Sequence, residues 1–186
     1  MDEDKRIIER VLQGEKEAYA MIVEKYQKSL YNYIGRMVGE RELALDFTQD
    51  IFIKSYSSLH TYSPQFKFST WLFKIASNSV IDYWRKKKLD TFSVDQTLGP
   101  DEKQTFQIPD RDKPIPDQHE LGQMRERIEK ILDLIPPALR ELFVWRHINE
   151  FSYEEIAEIK ALPLGTIKNR VYQAKELIRG HLEKIT

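Results

Sequence analysis

In the last third of the chain, apolar residues recur at the three-and-four spacing of a helix with one buried side. Leu164, Ile167, Val171, Ala174 and Ile178 fall within about 80° of arc when each residue advances about 100°. Lys168, Asn169, Tyr172, Gln173 and Arg179 occupy the opposite side. A shorter set, Ile156, Ala157 and Ile159, precedes them and follows Ser152-Tyr153-Glu154-Glu155. That tetrad reads as a capping box, in which the serine hydroxyl and the third-position glutamate each satisfy an orphan amide. The break at Lys160-Ala161-Leu162-Pro163 places a proline where it suits the first turn of a new helix. Helices are therefore predicted over 153–159 and 164–182, joined by a tight turn. A polar helix face is often merely solvated, and that is the plain alternative here. A capped short helix, a break and a striped second helix in succession point instead to a helix-turn-helix. Its second helix would present hydrogen-bond donors and a ring to a major groove.

The rest of the chain is patterned in the same way. Helices are predicted over 5–13, 16–38, 41–59 and 69–87, separated by Gly14, Gly39 and the Ser63-Pro64 turn. Two more are predicted over 120–134 and 137–148. Between the two sets, residues 89–118 carry four prolines, Gly99 and seven acids with little periodicity. They read as a flexible acidic linker. With 7 glycines in 186 residues and few β-branched runs, an all-β fold is disfavoured. The predicted fold is all-α: two small helical domains, 1–88 and 119–186, joined by the linker, the second a helix-turn-helix.

Charge adds one distinction. The net charge of −1 hides 15 basic against 12 acidic residues in 1–88, 3 against 7 in 89–118, and 11 against 11 in 119–186. The overall balance argues weakly against nucleic acid, but Arg85-Lys86-Lys87-Lys88 is a concentrated patch. Local charge matters more for DNA, because exposed charges beyond roughly 10 Å are screened. No apolar run reaches the length of a membrane span, and the charged N-terminus carries no secretory signal. The absence of cysteine excludes disulfides and thiolate metal sites and fits a reducing cytoplasm.

Two stretches of the first domain carry further chemistry. Tyr62-Ser63-Pro64-Gln65-Phe66-Lys67-Phe68-Ser69-Thr70-Trp71 interleaves aromatic and polar residues ahead of the helix that ends in the basic run. On that helix Trp71, Ile75, Asn78, Asp82 and Arg85 share one side, while Leu72, Ala76, Val80 and Tyr83 share a side suited to packing. Aromatic platforms beside positive charge suit unpaired bases, where stacking contributes roughly 1–3 kcal/mol per base. The same pattern is equally compatible with core aromatics and a basic helix end favoured by the helix dipole. In the preceding helix, Ala44, Thr48, Ile51, Phe52 and Ser55 form a packed side. Asp46, Asp50 and Ile53 project elsewhere, with Phe47 at the margin. Acids beside apolar side chains suggest a protein partner, or an acidic surface with scattered apolar residues.

Taken together these segments resemble a bacterial sigma factor of the extracytoplasmic-function type, in the sigma-70 superfamily. Asp46-Phe47-Thr48-Gln49-Asp50-Ile51-Phe52 is similar to that family's region 2.2. Phe68 to Asn78, followed by Ile81-Asp82-Tyr83-Trp84-Arg85-Lys86-Lys87-Lys88, resembles regions 2.3 and 2.4. Ser152 to Ala157 with Pro163 to Arg170 resembles region 4.2. The resemblance implies a cytoplasmic, non-enzymatic subunit without cofactor, metal or membrane span, which binds core RNA polymerase and directs it to promoter DNA. By matched position, Asp46, Phe47, Gln49, Asp50 and Ile53 would bind the clamp helices of the β′ subunit. Phe66, Lys67, Phe68, Trp71 and Asn78 would engage the opened −10 element, and Arg85, Lys86, Lys87 and Lys88 the nearby phosphates. Lys168, Asn169, Tyr172 and Gln173 would read the −35 duplex, with Thr166 and Arg170 on its backbone. The linker would pass through polymerase toward its RNA exit path, where its acidity could mimic nucleic acid, and the β subunit and an anti-sigma factor are further partners the family implies.

The sequence departs from the family pattern at three positions. Phe47 and Asp50 replace a common leucine and glutamate and roughly preserve the chemistry. Ala161 stands where glycine is usual in the turn, and a non-glycine residue at positive φ is uncommon. An altered or strained turn is expected there. A free-standing helix-turn-helix regulator would explain residues 119–186 but leaves the aromatic-basic segment without a role. An enzyme such as a nuclease finds no support in the dispersed His60, His119, His147 and His181 or in any carboxylate cluster.

Overall fold

A computed structural model describes the backbone of residues 3–94 and 128–183, and the side chains of 3–87 and 128–183. Every regular element among them is helical. The chain divides into two compact units, built mainly on these two segments.

The first unit starts with α1 (Glu3–Leu12), whose Ile7, Ile8 and Val11 are buried. It ends where Gly14 takes φ 109°. The Gly14 amide bonds the Val11 carbonyl and the Glu15 amide bonds that of Arg10, both over 3.1 Å, so two terminal carbonyls are satisfied in a Schellman motif. The helix expected from residue 16 begins instead with a 3-10 turn at Lys16–Ala18, and α2 proper is Tyr19–Val38. Gly39, at φ 79°, closes α2 through its amide bond to the Gly35 carbonyl. Next comes α3 (Arg41–Ser57), which is shorter than expected because Leu59–Thr61 tightens into a 3-10 turn that buries Leu59.

α4 (Phe68–Val94) is the longest helix and overruns its expected end at residue 87. The helix therefore takes the first residues assigned to the linker, and the remaining linker residues, 95–118, lie outside the described residues. Phe68, Leu72, Phe73, Ala76 and Val80 meet Leu30, Tyr33 and Ile34 of α2 and Ala44 and Ile51 of α3 in the core. Each of the larger apolar side chains contributes roughly 1.5–3 kcal/mol by leaving water. Most polar groups in this core have partners, Thr70 Oγ1 being an exception. Thr48 donates to the Ala44 carbonyl, and Tyr19 Oη lies 2.6 Å from Ser55 Oγ. Burial raises the Tyr19 phenol above its ordinary value of 10.0. The Trp84 indole N–H reaches the Met37 carbonyl at 3.1 Å and ties α4 to the end of α2.

The second unit contains α5 (described over 128–134), α6 (Pro137–His147), most of α7 (Tyr153–Lys160) and α8 (Leu164–Glu183). Residues 120–127 of the expected helix lie outside the described residues. The predicted stripe of α8 is buried at Ile167, Val171, Ala174 and Ile178, with Leu164 half-buried at the rim. It shares a core with Trp145, Leu142, Ile156 and Ile131. Arg140 is buried and caps α5. Its guanidinium bonds the Asp133 carboxylate at 3.2 Å and the Asp133 carbonyl at 2.9 Å. Burial lowers the Arg140 pKa, and the Asp133 charge opposes that shift.

Candidate nucleic-acid and partner interfaces

The helix-turn-helix is built as its residue types require. The Ser152 amide donates to the Glu155 carboxylate at 2.7 Å, and the Glu155 amide donates to Ser152 Oγ at 3.1 Å. The capping box is thus reciprocal and fixes the start of α7. At the other end, Ala161 adopts φ 51°. Its amide bonds the Glu158 carbonyl at 3.2 Å, and the Leu162 amide bonds that of Ala157 at 3.1 Å. The hydrogen-bond pattern matches the one at Gly14. The expected strain is therefore real at the residue level, but the turn keeps its form. Pro163 then opens α8, its carbonyl accepting from the amides of Thr166 and Ile167.

On α8, Lys168, Asn169, Arg170, Tyr172 and Gln173 are all exposed, Tyr172 by 62%. Thr166 is half-buried at the first turn. Arg179, placed on the same side from the sequence, forms an ion pair with Glu176. Tyr153 is a contributor that the sequence reading left inside the capping box. The Arg146 guanidinium lies 5.0 Å and the Lys168 ammonium 5.9 Å from its ring centroid, so the ring helps to hold two cations near the start of the exposed face of α8.

In the first unit, the aromatic segment is a ring cluster with an open side. Tyr62 is buried, and its hydroxyl donates to the Phe66 carbonyl at 2.7 Å, which fixes the loop. Phe66 is 41% exposed and Lys67 is exposed beside it. Phe68 requires a correction. Expected on the loop facing DNA, it is the first residue of α4 and fully buried, because its ring completes the core against Tyr62 (5.4 Å) and Trp71 (5.5 Å). It supports the site without being available to a base. Trp71 is half-buried, with its ring also 5.7 Å from Tyr62, and Asn78 is exposed farther along α4.

The basic run divides. Arg85 pairs with Asp82 at 2.9 Å, and Lys86 is exposed. Lys87 lies 5.6 Å and 5.4 Å from the ring centroids of Tyr83 and Trp84. The side chain of Lys88 lies outside the described residues. Because α4 continues to Val94, this run sits well inside the helix. The dipole effect fades within the last turn, so the reading of these cations as a favoured helix end is removed.

On α3, Asp46, Gln49, Asp50 and Ile53 are exposed, Ile53 by 64%. Phe47 is half-buried and sets its ring edge-on to Tyr83 at 5.6 Å. A groove of about 360 Å³ runs beside this face, lined by Val23, Gln27, Lys28 and Tyr31 of α2 and Leu45, Thr48, Gln49 and Phe52 of α3. The α2 side of this surface was missed. Its residues belong to an ordinary helical pattern, and only the packing of α2 on α3 brings them next to Gln49. Among the described residues there is no cluster of metal-ligating side chains and no helix long and apolar enough to cross a membrane.

Comparison with known proteins agrees with both units. The family model Sigma-70 region 2 matches residues 22–89, and that of Sigma-70, region 4 matches residues 125–178. The chain is 31% identical to the ECF RNA polymerase sigma factor SigW of Bacillus subtilis over 97% of either chain. It is 30% identical to the ECF RNA polymerase sigma-E factor of Haemophilus influenzae over 98% of this chain and 96% of that one. Among solved structures, the sigma factor RpoE of Bartonella quintana, in complex with the anti-sigma factor NepR, aligns with a TM-score of 0.72 at 20% identity. That alignment covers 89% of this chain and 96% of that one. CnrH, in complex with the cytosolic domain of CnrY, aligns at 0.71 and 20% identity over the whole of both chains. These two likenesses concern the fold.

Proposed function

Because this chain belongs to the extracytoplasmic-function sigma factors of the sigma-70 family, we propose that it binds core RNA polymerase, reads a −35 and a −10 element, and promotes promoter opening. The division of labour follows the two units. Domain 1–88 binds polymerase and the opened strand, 89–118 tethers, and 119–186 docks duplex DNA. Polymerase supplies the chemistry of RNA synthesis. The protein contributes binding energy spent on an opened duplex, and it works in the compartment that holds polymerase.

On α3, Asp46, Gln49, Asp50 and Ile53 form the polymerase-facing surface, addressed to the β′ clamp helices, with Phe47 bracing it against α4. Trp71, Phe66, Lys67 and Asn78 engage bases of the opened −10 strand, while Arg85, Lys86, Lys87 and Lys88 hold its phosphates. On α8, Lys168, Asn169, Tyr172 and Gln173 address base edges, with Thr166 and Arg170 on the backbone. Neither DNA contact need be tight alone, since each raises the effective concentration of the other. An anti-sigma factor is a further partner, consistent with the complex in which one structural relative is found.

The observation that carries this reading is the half-open Trp71 ring, framed by Phe68 and Tyr62 on the helix that bears the basic run. Core polymerase with the full chain and a matching promoter is expected to initiate only when both are present. Trp71→Ala should leave closed-complex binding nearly intact and reduce permanganate reactivity of the −10 thymines. Normal reactivity in that variant would sink the base-capture assignment.

A further inference from the structure

The first turn of α1 holds a carboxylate that the roles above do not use. Asp4 is only 4% exposed, although an aspartate is seldom buried without partners. The Lys25 ammonium donates to its Oδ1 at 2.5 Å, and the Tyr26 hydroxyl donates to its Oδ2. Charge-assisted bonds of this kind are roughly twice as strong as neutral ones. Hydrogen bonding to Asp4 is also the main reason that the Lys25 pKa is raised above 10.5.

Docking of α1 does not require this arrangement. Ile7, Ile8 and Val11 already bury its apolar side, and an ion pair whose Lys25 side chain is 41% exposed adds little net stability. What the carboxylate does supply is a fixed orientation for Tyr26. The Tyr26 ring lies 5.9 Å from Phe68, and Phe68 lies 5.5 Å from Trp71. Phe68 and Trp71 also both meet Tyr62, whose hydroxyl holds the Phe66 carbonyl. A continuous set of bonds and ring contacts therefore runs from the first turn of α1 to the open tryptophan.

We infer that Asp4 is a positioning residue for Trp71: by fixing Tyr26 it sets the wall of rings against which the Trp71 indole is held. The consequence for −10 recognition rests on the base-capture role proposed above. The positioning itself is independent of that role.

The test uses the full chain labelled with 5-fluorotryptophan, with the Trp71 resonance assigned by Trp71→Phe. Asp4→Asn keeps the shape and removes the charge. Tyr26→Phe keeps the ring and removes the hydroxyl, and it reports if Asp4→Asn fails to fold. Ile8→Val loosens the same α1 docking without touching the carboxylate. The expected result is a shifted or broadened Trp71 resonance in the first two variants, with Trp84 and Trp145 unmoved and Ile8→Val like the parent. A Trp71 resonance unmoved in both, or moved equally by Ile8→Val, overturns the inference. In the complex with core polymerase, preference for a −10 single strand over a scrambled strand should fall about tenfold in both positioning variants. If Trp71→Ala leaves that preference intact, the base-capture reading fails, and the fluorine spectra still decide the role of Asp4.

Discussion

The amide of Leu162 and the carbonyl of Ala157 are joined over 3.1 Å, and the bond closes a turn whose middle residue, Ala161, carries a β-carbon at φ 51°. A left-handed alanine costs roughly 1–2 kcal/mol, whereas glycine there loses about 0.5–1 kcal/mol through the freedom of the unfolded chain. Ala161→Gly should therefore stabilise the helix-turn-helix by roughly 0.5–1 kcal/mol. The urea midpoint, followed by Trp145 fluorescence, checks this. A lower midpoint would mean that the turn is not strained.

The reciprocal bonds of Ser152 and Glu155 make the cap of α7 separable from DNA contact. Ser152→Ala is expected to cost about 1 kcal/mol and to lower the melting temperature of the second unit. Well below that temperature, −35 binding by the assembled complex should be little changed.

Lys168 and Arg170 are both exposed on α8 but are assigned different partners. Arg170→Ala should weaken binding to all promoters alike and flatten the salt dependence by about one unit of slope in log K against log salt. Lys168→Ala should instead relax discrimination at one −35 position, by roughly 1–3 kcal/mol. Binding titrations of the polymerase complex at several salt concentrations distinguish the two, and equal losses for every sequence in both variants would reject the assignment.

Phe66 and Phe68 are two residues apart in sequence and opposite in burial. Phe68→Ala should destabilise the first unit by about 3–5 kcal/mol, as loss of a core ring does. Phe66→Ala should change stability by less than about 0.5 kcal/mol while reducing promoter opening. Thermal denaturation and permanganate footprints of the two variants form one comparison.

His147 packs tilted against Phe143, with ring centroids 4.6 Å apart. Burial first, then the charges of Arg146 and Lys175, lower its pKa below 6.5. The folded state thus takes up this proton less readily than the unfolded chain. The stability tied to His147 is complete above about pH 6.5 and is lost as pH falls through the depressed folded value. Denaturation between about pH 7.5 and 5.5 should show this loss, and His147→Gln should flatten it. The window stays above the ordinary carboxylate range.

Helix positions were legible because apolar spacing, Gly14, Gly39 and the capping box are local signals that agree with one another. The exposed face of α8 was legible for the same reason, since one buried stripe defines the side opposite it. What was not legible depends on contacts between distant segments. Phe66 and Phe68 look alike in a string of alternating aromatics, and only the arrival of Tyr26 and Tyr62 buries one of them. The groove beside α3 takes half its lining from α2, which carries no motif of its own. The continuation of α4 past Lys87 was hidden because Asp90, Thr91, Ser93 and Val94 are weak helix formers that run on toward the Gly99-Pro100 break.

The length of α4 (27 residues) makes it a ruler. Along its axis Trp71 and Lys87 are separated by about 24 Å at 1.5 Å per residue, close to seven steps of 3.4 Å along one DNA strand. For the proposed capture of a base at one point and grip on phosphates at the other, that interval is set by an inflexible rod. One residue inserted between them would lengthen the rod by only about 1.5 Å but turn Lys87 by about 100° about the axis. The spacing of these two contacts therefore tolerates many substitutions and almost no insertions.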